Sequence, residues 1–126
     1  MNSFLLEARM QDYSKLEVVK LAHPFVLHIY DTTGRFPENE KYGVTSQIRR
    51  SAASIPANLA EGCGLQGRAQ LKKYAYQASG SASETQYWLK LAADLGYLTK
   101  QEFHDLRAQL VTIRKKLTRF IKTLEK

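Results

Sequence analysis

The sequence predicts an all-α protein, an antiparallel up-and-down four-helix bundle. Three observations indicate this fold class: apolar residues recur with helical period over long segments, most glycines lie at the ends of those segments or between them, and no run alternates as a strand would. The chain has 126 residues, enough for one domain, which we place at residues 14–126. Residues 1–13 have no clear period, and we expect a flexible N-terminal arm there. The predicted helices cover residues 16–33, 43–62, 67–94 and 100–125.

The first predicted helix is apolar over most of its circumference, and its polar positions form only a narrow stripe. This apolar surface is wider than the ~100° stripe that a helix buries inside its own bundle. We therefore expect part of the helix to contact a neighbouring subunit. The expected oligomer interface consists of Val18, Leu21, Phe25 and Ile29.

The second predicted helix has bulky side chains on one face and small ones on the other, and the third is small in its middle, from Ala75 to Ser83. We expect the two small surfaces to pack together. Polar residues also lie on faces that otherwise look buried, and buried polar groups need partners. A hydrogen-bonded network that fixes helix register is favoured over a catalytic role for Asn58, Glu61 and Glu84. The face of the second helix that carries the small side chains comprises Ser46, Ala53, Ala57 and Ala60.

The fourth predicted helix shows the clearest pattern in the chain. Thr99 followed by Glu102 predicts a capping box at its start, just after Gly96, which is expected beyond the end of the third helix. Apolar residues then recur at alternating spacings of three and four, which is typical of a helix with one buried seam. The seam consists of Phe103, Leu106, Leu110, Ile113, Leu117, Phe120 and Leu124.

The stretch SQIRRSAASIPANLAEG, residues 46–62, resembles the signature of proteins encoded in intervening sequences of bacterial 23S rRNA genes, the S23 ribosomal protein-like family. The similarity extends through FPENEKYGVTSQ, residues 36–47, and GSASETQYWLKLAADLGYL, residues 80–98. The resemblance implies a four-helix bundle that assembles as a homopentamer and has no known enzymatic activity. It also implies kinship with the accessory variability proteins of retroelements, so a reverse transcriptase or another protein is a further candidate partner.

Positive charge is in excess and clustered. There are 19 Lys and Arg against 12 Asp and Glu, a formal net charge of +7, which favours polyanionic partners. Nucleic acid, RNA above all, is the predicted ligand, and the alternative is a protein-interaction scaffold whose charge serves only solubility. One basic group opens the third predicted helix and the other follows one face of the fourth. The predicted contacts are Arg68, Lys72, Lys73, Arg114, Lys115, Arg119, Lys122 and Lys126.

The sequence contains no pattern typical of an enzyme. No histidine spacing matches a metal site, and Cys63 has no histidine partner that the sequence can place. Gly62, Gly64 and Gly67 match a dinucleotide-binding fingerprint, but they follow a helix where that fingerprint requires a strand. We expect no catalytic activity and no cofactor. A single cysteine, no signal peptide and no apolar run of membrane-spanning length predict a cytoplasmic protein without a membrane partner.

Overall fold

The computed structural model describes residues 12–65 and 67–126, and over these residues it contains four long helices, two short 3-10 turns and no strand. The prediction of an all-α protein is confirmed, and each helix begins and ends within two residues of its predicted bounds. The predicted N-terminal arm lies outside the described residues, except for its last two. The helices are α1 (Glu17–Thr33), α2 (Val44–Gly64), α3 (Arg68–Asp94) and α4 (Lys100–Leu124).

The helices surround one apolar core, and each contacts the helices that precede and follow it, with α4 returning beside α1. Two polar contacts join this part of the chain to α4: Arg35, two residues beyond the end of α1, pairs with Glu102, and His28 Nδ1 of α1 lies 2.7 Å from Gln109 Oε1. Among the residues described, no helix is long and apolar enough to cross a bilayer.

The apolar surface of α1 is buried within the chain itself. Val18, Phe25 and Ile29 belong to the core, and Leu21 is half-buried against it. Side chains that are already buried cannot contact a neighbouring subunit, so the prediction that Val18, Phe25 and Ile29 form an oligomer interface is wrong. The physical reason is that α1 lies between α2 and α4, and these two neighbours together cover a wide apolar surface.

Some apolar surface of α1 does remain exposed, on a different part of the helix. Leu27 is 58% exposed and Tyr30 is 46% exposed. Because they are three residues apart, they lie side by side on one face. The guanidinium of Arg49 stacks on the Tyr30 ring, 4.6 Å from its centroid.

Small residues let α2 and α3 approach closely. A Cβ atom added to Gly62 would lie 2.9 Å from Tyr74 Cβ, and the buried Thr85 Oγ1 donates a 2.9 Å hydrogen bond to Ser51 Oγ. The small face predicted for α2 is nevertheless not the packed one, since Ala57 is exposed and the other three residues are half-buried. The small, fully buried residues of α3 are Ala75, Ala78 and Ala82.

The connection from α3 to α4 has the predicted form. The chain turns at Gly96, whose φ of 81° is in the left-handed region that glycine adopts without steric cost. Thr99 Oγ1 then accepts from the Glu102 backbone N–H at 3.0 Å, and the Glu102 carboxylate accepts from the Thr99 N–H at 2.9 Å. The predicted capping box is confirmed. The Thr99 N–H, followed by the Arg35 guanidinium, lowers the pKa of Glu102 below its ordinary value.

Candidate nucleic-acid interface

A shallow groove runs between α3 and α4, and the basic stripe of α4 borders it. We call this cavity of about 500 Å³ the basic groove. Lys115, Arg119 and Lys122 are exposed along it, because spacings of four and three place them on one helix face. The residues that line the groove are Gln86, Val111, Arg114, Lys115, Thr118, Arg119 and Lys122.

The cations of the basic groove have no carboxylate partner within the described part of the chain. The ion pairs formed among the described residues use the cations Lys20, Arg35, Arg50 and Lys90. None of these four lines the basic groove. Like charges are therefore held side by side on an open surface. Such a surface attracts counterions or the phosphates of a polyanion.

Arg114 differs from its neighbours because it is half-buried and already hydrogen-bonded. Its Nη2 donates to Ser83 Oγ at 3.0 Å, and its Nη1 donates to Gln86 Oε1. These bonds tie α4 to α3 across the floor of the basic groove. Arg114 therefore helps to hold the groove's shape, as well as contributing its charge.

Arg68 has a structural partner that the sequence could not reveal. It opens α3, where the helix dipole disfavours a cation, but its Nη1 donates to the carbonyl oxygen of Thr123 and to a main-chain oxygen of Lys126, both at 3.2 Å. Thr123 is in the last turn of α4 and Lys126 follows it, so both oxygens lie at the helix C-terminus, where a cation is favoured. The beginning of α3 and the end of α4 thus lie together, which brings Arg68 close to the C-terminal part of the α4 stripe, although Arg68, Lys72 and Lys73 do not line the basic groove.

The remaining predicted contacts lie near this end. Lys72 is half-buried, whereas Lys73 and Lys126 are exposed. The Lys73 ammonium lies 5.8 Å from the centroid of the Tyr74 ring, a cation–π distance.

The family model described as 23S rRNA-intervening sequence protein matches residues 14–119. The chain belongs to this family. It is also similar to the crystal structure of a protein with unknown function from the S23 ribosomal protein family of Bacteroides thetaiotaomicron VPI-5482. That similarity has a TM-score of 0.74 and 30% sequence identity, and covers 83% of this chain and 98% of the other. No curated protein matches significantly. The family resemblance predicted from residues 46–62 is confirmed.

In this member of the family, the predicted polar core network is not formed. Asn58 is half-buried and its Nδ2 donates to the Ser54 carbonyl one turn earlier, at 2.8 Å. Glu61 is exposed and accepts a 3.3 Å hydrogen bond from Tyr74 OH of α3, so the two residues share no partner among the described residues. The charge of Glu61 raises the pKa of Tyr74. The polar pair that is buried between α2 and α3 is made of two hydroxyls instead, those of Ser51 and Thr85.

Glu84, the third member of the predicted network, lies at the boundary between core and solvent. It is half-buried, accepts a 2.9 Å hydrogen bond from Trp88 Nε1 and pairs with Arg50 across the α2–α3 contact. The prediction of a shared network is wrong. The side chains of the three residues lie at the edge of the α2–α3 contact and not at its centre, so they are not buried together.

Arg49 is a residue whose role the sequence analysis missed. Its Nε donates to Thr33 Oγ1 at 2.8 Å and its Nη2 donates to the Tyr30 carbonyl at 3.2 Å, at the end of α1. The charged guanidinium thereby satisfies the negative end of a helix, as Arg68 does for α4. In this chain, the first arginine of the pair at residues 49–50 is thus a helix-capping residue.

No three His, Cys, Asp or Glu side chains in the described ranges gather in a metal-binding arrangement. Cys63 is a buried free thiol, and burial raises its pKa. A thiol with a raised pKa is a poor nucleophile because less of it is ionised.

Proposed function

We propose that the protein is a non-enzymatic, oligomeric accessory protein that binds nucleic acid, RNA above all, through the charge of the basic groove. The observation that carries the proposal is a run of exposed cations along one cavity, Lys115, Arg119 and Lys122, which have no carboxylate partner among residues 12–65 and 67–126. Charge excess over the whole chain, +7, supports the same ligand class. The single free cysteine supports a cytoplasmic location.

Binding of this kind is driven by the release of counterions from the phosphate backbone. Each phosphate that a lysine or arginine neutralises contributes a slope of about −0.7 for single strands to the dependence of log K on log salt. Contacts to phosphates position a nucleic acid without reading its bases. We therefore expect nucleic-acid binding to have weak sequence preference and strong dependence on salt.

The proposed assembly is a homopentamer of antiparallel up-and-down bundles, as the family resemblance implies. Leu27 and Tyr30, exposed on α1, support a contact between subunits, because large apolar groups side by side favour burial. Five copies would present five basic grooves to one polyanion. Several weak contacts along the same nucleic-acid strand then give a high overall affinity through multivalency.

The experiment compares three proteins for binding of labelled single-stranded RNA at about 50 mM salt. The groove variant carries Lys115→Gln, Arg119→Gln and Lys122→Gln. The control variant loses the same charge elsewhere, through Lys15→Gln, Lys20→Gln and Lys41→Gln, all at exposed positions. We expect the groove variant to bind weakly and the control to bind like the parent. Equal losses in both variants would show that net charge acts without a site.

The alternative is an oligomeric protein-interaction scaffold, and the exposed pair Leu27 and Tyr30 supports the assembly in both hypotheses without separating them. In that case the charge serves only solubility, and the parent does not bind RNA or DNA at about 50 mM salt. Light scattering adds the second criterion, since a particle of 14.4 kDa at micromolar concentration contradicts the oligomeric assembly on which both hypotheses depend.

A further inference from the structure

A larger cavity continues the basic groove toward the beginning of α4. It has a volume of about 840 Å³, within the ~300–1,000 Å³ typical of ligand pockets. Gln86 lines both cavities, and Ser83, which lines the larger one, accepts the hydrogen bond from Arg114 of the groove. The two cavities therefore form one path along the α3–α4 surface. We call the larger one the aromatic pocket.

The aromatic pocket has an apolar floor and two aromatic side chains. Leu89 and Leu98 are buried beneath it, and Phe103 is partly buried beside it. Tyr87 is 59% exposed, and in the described part of the chain its hydroxyl has no hydrogen-bond partner within the protein. Its ring is supported edge-on by Trp88, with centroids 5.4 Å apart. An exposed ring held over an apolar floor is suited to stacking against a flat ligand.

The rim of the aromatic pocket is positively charged. Lys100 and Arg107 are exposed there, while the one lining carboxylate, Asp94, is already paired with Lys90 at 2.9 Å. A second copy of this chain would bring further positive charge, and the carboxylates of an acidic peptide would match the rim but would not themselves stack on Tyr87. A nucleotide supplies both an anionic phosphate and a flat base.

We infer that the aromatic pocket holds an unstacked base of a single-stranded nucleic acid whose phosphates follow the basic groove. This inference rests on the proposed function and adds the form of the ligand. A duplex keeps its bases stacked and paired inside the helix, whereas a single strand can turn a base outward onto an aromatic side chain. Tyr87 is the stacking residue, and Arg107 lies at the rim beside the path toward Lys115.

The experiment measures binding of fluorescein-labelled oligoadenylate RNA, with polyphosphate as a competitor that has the charge but no bases. Tyr87→Ala should weaken RNA binding by about 5- to 150-fold, the effect of losing one stacked base, and leave competition by polyphosphate unchanged. Tyr87→Phe, which restores the ring, should recover most of the affinity. Tyr42→Ala is the matched control, because Tyr42 is 86% exposed and outside both cavities. Melting curves by circular dichroism verify that each variant folds.

The outcomes separate this inference from the proposal beneath it. If the parent binds neither RNA nor polyphosphate, the proposed function itself fails. If the parent binds both and Tyr87→Ala binds RNA like the parent, the base-stacking inference is overturned while electrostatic binding stands. Binding of a polyglutamate peptide as tightly as RNA would overturn it in favour of a protein ligand. Binding of free AMP as tightly as the oligonucleotide would overturn it in favour of a mononucleotide site.

Discussion

Replacing Gly62 with alanine probes the closest approach of α2 and α3. The added Cβ would lie 2.9 Å from Tyr74 Cβ and 3.3 Å from Leu71 Cα. Both atoms belong to the α3 backbone or are bonded directly to it, so no change of side-chain rotamer can move them away. The two helices would have to separate, and the buried contacts along their interface would loosen.

The expected effect combines two opposing contributions. Overpacking of a tight contact costs about 1 to 3 kcal/mol, whereas alanine in place of glycine in a helix gains about 0.5 to 1 kcal/mol. Taking the middle of each range, the net loss in the free energy of unfolding is about 1 to 2 kcal/mol. For a chain of 126 residues this lowers the melting temperature by about 4 to 8 °C. Circular dichroism at equal protein concentrations measures the shift.

Gly80→Ala is the matched control, because it makes the same chemical change within α3 where no atom lies within 4 Å of the added Cβ. Only the helix-propensity gain remains, so its melting temperature should rise by about 2 to 4 °C. Opposite signs for the two variants are the signature of the close contact. A Gly62→Ala protein that melts at or above the temperature of the parent would refute it.

Two further predictions concern packing and pH. Ala78→Leu should lower the free energy of unfolding by about 1 to 3 kcal/mol or more, because it forces extra volume into the buried face of α3. Leu110→Met roughly conserves volume and should lower it by less than about 1.5 kcal/mol. Equal melting temperatures for the two variants would contradict this prediction. The lowered pKa of Glu102 contributes stability above the carboxyl's ordinary pKa, and this is lost as pH falls through the lowered value. Glu102→Gln keeps an acceptor for the Thr99 N–H but removes the titrating carboxyl. The free energy of unfolding, measured by urea titration, should therefore fall less steeply with decreasing pH below about pH 5 than in the parent. The same pH dependence in both proteins would contradict a contribution from Glu102.

The elements of the fold could be predicted because their signals are local in the sequence. In α4, the apolar period of three and four residues places Leu106, Leu110 and Leu117 in the core, and all three are buried. The capping box needs only Thr99 and Glu102, three residues apart. Periodicity and caps act within one or two turns of helix, so they can be interpreted without knowledge of which elements are neighbours.

The partners of each surface could not be predicted in the same way. The wide apolar surface of α1 could be covered either by another subunit or by two neighbouring helices of the same chain. Phe25 and Ile29 are buried within the chain, so the neighbouring helices cover it. The use of Arg68 depends on where α4 ends in space, which no local pattern encodes. For Glu84, a small rotation of α3 decides between the core and its edge. The basic stripe was visible because charge and spacing are local, but its alignment with the aromatic pocket depends on how α3 and α4 pack.

The salt dependence of RNA binding tests whether the basic groove neutralises phosphates. For the parent, log K should decrease steeply and linearly with log salt. The groove variant, with Lys115, Arg119 and Lys122 changed to Gln, should show a slope smaller in magnitude by about 2, since each lost phosphate contact removes about 0.7. The control variant, changed at Lys15, Lys20 and Lys41 on other surfaces, should keep the parent's slope. Identical slopes for the parent and the groove variant would contradict the account.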